Sequence, residues 1–137
     1  MTGDSDRALV SWSKANSHLT EAIAQDYDAS PMAVIHSSYY AMFHAARAAL
    51  FKTGGQAPKR HDVVIQQFGL LVRDFDDAIR LAGKAFNAVK DERTAADYDE
   101  TVLPSPEDAR EALQAAIAFL TICAGRFGFG TPMATRR

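Results

Sequence analysis

Cysteine is almost missing from this chain of 137 residues, and the lone thiol of Cys123 leaves no internal disulfide to staple the fold. Its setting in the apolar run Ala118-Phe119-Leu120-Thr121-Ile122-Cys123 makes it a small core residue and points to a reducing compartment. No segment reaches the ~20 apolar residues that cross a bilayer. The opening MTGDSDRALVSW has neither the basic patch nor the apolar stretch of a secretory signal, so a cytoplasmic protein away from the membrane is expected. An excess of either charge is missing too: 15 Lys and Arg face 17 Asp and Glu, for a net charge of -2. Nucleic acid or anionic lipid would have to be met by a local patch, or by a symmetric groove in an oligomer. The chain contains no GxGxxG, no GxxxxGK[ST], no Cys or His pair at zinc spacing and no serine in a nucleophile elbow. No cofactor and no metal are expected.

What is present is helical periodicity. Apolar residues recur at three- and four-residue steps almost throughout, and no run alternates as a strand would. A first helix is expected from about Ser5 to Asp26, through Leu9, Trp12, Leu19 and Ile23. A second opens at Ser30-Pro31, an N-cap followed by proline at the first helical position, and stops at Gly54-Gly55. After a polar linker a short covering helix runs from His61 to Val72, and a fourth from about Phe75 to Asp97 through Ile79, Ala82, Phe86 and Val89. Ser105-Pro106-Glu107-Asp108 starts a fifth, which runs to about Arg126 through Leu113, Ile117, Leu120 and Ala124. With 47% hydrophobic residues, this predicts an all-α fold: one domain over 1–127, a compact up-and-down bundle of four or five helices, and a flexible tail over 128–137.

On the second helix His36, Tyr40, His44 and Arg47 are spaced four, four and three apart, a polar stripe on one face of an otherwise apolar helix. Either their polar tips are satisfied at the edge of the core, or together they address one groove. The eight-residue step from His36 to His44, about 12 Å of rise, excludes joint chelation of one metal ion. Arg93 is the second unusual position, since it follows Phe86 and Val89 on the apolar face of the fourth helix. A buried guanidinium needs a partner: Asp97, one turn on, is the structural answer, and a phosphate across the groove, walled by Tyr98 and Asp99, is the functional one. Pro58-Lys59-Arg60-His61, at a helix start, either touches a phosphate or, as the plainer reading, is a solvated cap.

Three segments in order, Ser38-Tyr39-Tyr40-Ala41-Met42-Phe43-His44-Ala45-Ala46, Pro58-Lys59-Arg60-His61 and Arg93-Thr94-Ala95-Ala96-Asp97-Tyr98-Asp99, resemble the HEPN family, in its small stand-alone prokaryotic branch. The resemblance spans about Ala22 to Phe119. It implies a homodimeric helical bundle with its polar groove at or near the dimer interface. Many such proteins are toxins of toxin–antitoxin pairs, encoded beside a minimal nucleotidyltransferase antitoxin. Active members are metal-independent endoribonucleases, in which an arginine stabilises the phosphate and a histidine four to six residues later moves the proton.

Arg93 matches that arginine, but the residues four to seven positions on are Asp97, Tyr98, Asp99 and Glu100, with no histidine among them. A carboxylate there repels a scissile phosphate. His36-Ser37-Ser38 also stands where such proteins often carry Asn-Arg-Ala, which removes a second arginine. The resulting expectation is a regulatory component that binds nucleotide, RNA or a nucleotidyltransferase between helices 2 and 4, with His36, Tyr40, Arg47, Asp97 and Tyr98 in the groove. The alternatives are an endoribonuclease toxin in which His44 serves Arg93, and a non-catalytic dimeric interaction bundle.

Overall fold

Five helices follow from the caps and the apolar spacing. The computed structural model describes residues 3–54 and 57–132 of the chain, and places there α1 (Gly3–Ala24), α2 (Pro31–Lys52), α3 (His61–Val72), α4 (Asp77–Tyr98) and α5 (Pro106–Phe127). No strand occurs among the described residues. Helix α5 has the most complete start: the Ser105 hydroxyl accepts from the Asp108 backbone N–H, the Asp108 carboxylate accepts from the Ser105 N–H, and Pro106 occupies the first turn. Gly128 closes it at φ 77°, in the left-handed region that glycine tolerates. Helix α4 starts two residues later than the spacing suggests, because the Asp76 carboxylate caps it by accepting from the Ile79 N–H. Ser30 precedes α2 as expected, yet its side chain makes no capping bond; Pro31 and the turn from Asp26 set that entry instead. Of the two glycines expected to end α2, Gly54 has φ 80°, while Gly55 lies outside the described residues.

Helix α2 is the hub, packing against all four others and most extensively against α1. Its buried alanines (41, 45, 46, 48 and 49) let neighbouring backbones approach closely. Phe68, Phe86 and Phe119 interlock at centroid distances of 5.1–6.4 Å, joining α3, α4 and α5 in one aromatic core that Tyr39 extends to α2. Cys123 is fully buried there, and burial pushes its thiol pKa up.

Two differences from the sequence expectation have physical causes. Leu9 is 57% exposed, because the buried face of α1 runs through Ala8, Trp12, Ala15, Leu19 and Ala22. Residues 128–132, expected to begin a flexible tail, lie against the bundle: Phe129 stacks on Trp12 at 4.6 Å, and Pro132 is buried. The remainder of that tail, 133–137, lies outside the described residues.

Candidate functional site

The polar stripe of α2 divides between two neighbours. Its N-terminal half faces α4. There Arg93, with a side chain only 15% exposed, donates from Nη1 to the Tyr40 hydroxyl at 3.2 Å and lies over the Tyr39 and Tyr40 rings, 5.0 and 5.7 Å from their centroids. Its Nε is 3.7 Å from Asp97 Oδ2, too long for a hydrogen bond, and is otherwise without a partner. The other carboxylate oxygen of Asp97 accepts from His36 Nε2 at 2.6 Å. Tyr40, Arg93, Asp97 and His36 therefore form a continuous chain across the α2–α4 seam. Tyr98, expected in the groove wall, is 77% exposed.

The C-terminal half of the stripe faces α1 and the linker. His44 stacks on His18 at 5.3 Å with the rings nearly parallel, and meets Phe43 edge-on. Burial, followed by the charges of His18, Arg47, Lys14 and His61, lowers its pKa to about 4, so its ring is neutral at neutral pH. Its Nδ1 is buried without a hydrogen-bond partner. Arg47 donates to the Ala57 carbonyl at 3.1 Å and lies over Phe43 and Phe51. The contacts of His44 are thus with His18 of α1 and its neighbour Phe43, whereas those of Arg93 are with Tyr39, Tyr40 and Asp97.

The imidazole beside Arg93 is His61, which the sequence suggested was a solvated cap. It shares a 2.7 Å hydrogen bond with the buried Tyr39 hydroxyl and stacks on Phe43 at 4.2 Å. Burial, and then the nearby Arg93 charge, lowers the His61 pKa against the opposing pull of Asp62. Burial raises that of Tyr39. Both shifts favour Tyr39 as donor and a neutral His61 as acceptor. The available signal was the four-residue step from Tyr39 to Phe43, which places two rings on one side of α2, but nothing local shows that α3 brings His61 onto them.

Functionally, the seam offers a guanidinium in an aromatic cradle, flanked by a hydroxyl, two imidazoles and one carboxylate. Chemically, such an arrangement can take an anion only in competition with Asp97 for Arg93. A HEPN domain profile matches residues 9–126, beyond both ends of the stretch that carries the sequence resemblance. No curated protein and no solved structure matches the chain. The match covers most of the chain and includes every residue of this constellation, in a fold of five helices: the chain belongs to the HEPN family.

Proposed function

We propose that this protein is a binding and regulatory HEPN domain whose α2–α4 seam holds a phosphate of an RNA segment or nucleotide without cleaving it. One observation carries the reading: the position one turn after Arg93 is occupied by Asp97, which is bound to His36 and offers no imidazole to the phosphate. Arg93 is oriented but not saturated, since its Nε lacks a hydrogen bond, and an arriving phosphate replaces a 3.7 Å carboxylate contact with a bidentate one. The reading includes a homodimer and a nucleotidyltransferase partner within a toxin–antitoxin or related regulatory system, as the family relationship suggests.

The test is RNA and nucleotide binding by the pure protein in EDTA. RNA binding weakened at least about tenfold by Arg93→Gln, with the RNA left intact, supports the reading; RNA binding indifferent to Arg93 overturns it. Light scattering and co-expression with a nucleotidyltransferase encoded beside the gene check the assembly.

A second reading, metal-independent RNA cleavage, draws on His61. Arg93 and His61 both pack on the Tyr39 ring, at 5.0 and 5.5 Å, so an imidazole and a guanidinium share one neighbourhood. Discrete cleavage of total RNA in EDTA, lost in His61→Asn and kept in His44→Gln, would favour this reading over simple binding.

A further inference from the structure

We propose that the cleft between the first half of α1 and the end of α2 is a separate binding site for a small phosphate ester carrying an apolar or aromatic group. The site is independent of the α2–α4 seam. Arg7, Val10 and Lys14 recur along one face of α1, Arg47 and Phe51 are one turn apart on α2, and Lys59 enters from the linker. Together they line a cavity of about 450 Å³, within the range of small-molecule sites. Asp6 is the single acidic residue of the lining.

Charge balance carries the argument. Lys14, Arg47 and Lys59 face one cleft, and none of them forms an ion pair with a carboxylate among the described residues. Elsewhere on the surface, arginines sit beside acids: Arg60 with Asp62, Arg80 with Asp77, Arg110 with Glu107 and Arg126 with Asp76; among the described lysines outside the cleft, Lys52 and Lys84 form no ion pair either. Arg47 is also held in place. Its guanidinium is anchored to the Ala57 carbonyl and stacked over Phe51 at 5.5 Å, and its Nε is buried without a hydrogen-bond partner.

A phosphate monoester suits this arrangement, since its terminal oxygens can take a rigid guanidinium fork and two flexible ammonium groups at once. The other wall is apolar. Val10, 54% exposed, and the half-buried Phe51 can cover a flat group attached to the phosphate. Inorganic phosphate would leave that wall in water, and a long RNA would extend far beyond the cavity. The chemistry therefore points to a compound of mononucleotide size.

The test is calorimetry on the full chain with three probes: inorganic phosphate, uridine and uridine 5′-monophosphate, followed by guanosine 5′-monophosphate. The monophosphates should bind at least about tenfold more tightly than phosphate or nucleoside alone. Lys14→Gln with Lys59→Gln, both changes at exposed side chains, should weaken them by a further factor of about ten, with the helical circular dichroism unchanged. The part of the monophosphate affinity that depends on Lys14 and Lys59 should persist in Arg93→Gln, which separates this site from any nucleotide held at the seam. Three results would overturn the proposal: no heat with any probe at millimolar concentration, binding that ignores the lysine substitutions, or single-stranded RNA binding through these lysines while the monophosphates do not.

Discussion

The two faces of α2 handle positive charge in opposite ways. On the α4 side, one arginine is charge-compensated by a nearby carboxylate that is itself tied to a histidine, and held by a hydroxyl and two aromatic rings, with its Nε left without a hydrogen bond. On the α1 side, Lys14, Lys59 and Arg47 face a cleft that Arg7 and a single acid, Asp6, also line, and burial first of all, then the charges of His18, Arg47, Lys14 and His61, keeps His44 neutral. A partly buried charge that is already compensated gains only by exchanging partners, so the first face suits a selective, competed interaction. An uncompensated cluster gains directly from any anion that fits, so the second suits a ligand that also stabilises the fold.

The largest expected effect from breaking this contrast is at Arg93. Arg93→Ala leaves the Tyr40 hydroxyl and Asp97 without their cation and opens a gap over two rings. Urea denaturation should show a loss of about 2–3 kcal/mol, whereas Lys14→Ala on the other face should change stability by less than about 0.5 kcal/mol.

Next is the pH response of His44. Its folded pKa lies below the unfolded value, so the neutral ring contributes full stability above about pH 6.5, and that contribution is lost as pH falls toward about 4. The loss should be on the order of 1–2 kcal/mol after allowance for partial solvent access. His44→Gln should flatten that segment of the stability curve; an unchanged difference between pH 7 and pH 4.5 would refute the assignment.

Tyr39→Phe removes the buried hydrogen bond to His61 and should cost about 1 kcal/mol, while moving the His61 titration seen by NMR. Smallest is His36→Ala. That pair with Asp97 is 37% exposed on the histidine side and should be worth at most about 0.5 kcal/mol, but its loss frees Asp97 to hold Arg93 more tightly and should weaken phosphate binding at the seam.

Much of the fold was legible because helix signals are local. The spacing of Ile79, Ala82, Phe86 and Val89, the His61–Val72 limits and the capping box at Ser105 depend on residues within about one turn of each other. The site was legible only in part. Arg93 stood out as a cation in an apolar series, and Asp97 as its helical neighbour, yet His61 was invisible because its partner is 22 residues away on another helix. Phe129 escaped for the same reason: its glycine-rich surroundings read as loose chain, while its ring rests on Trp12.

The sequence by itself determined five amphipathic helices and a row of four polar residues on the second of them. Only tertiary structure decided what the row does. At 3.6 residues per turn each four-residue step turns about 40°, so His44 points about 80° away from His36; Arg47 turns back, but lies about 16 Å further along the axis. That drift and that distance are enough for α4 to bond His36 and Tyr40 while α1 and the linker hold His44 and Arg47, with His18 of α1 also reaching the Tyr40 ring. Periodicity specifies a face, but the direction in which neighbouring helices meet it depends on packing among residues far apart in the chain.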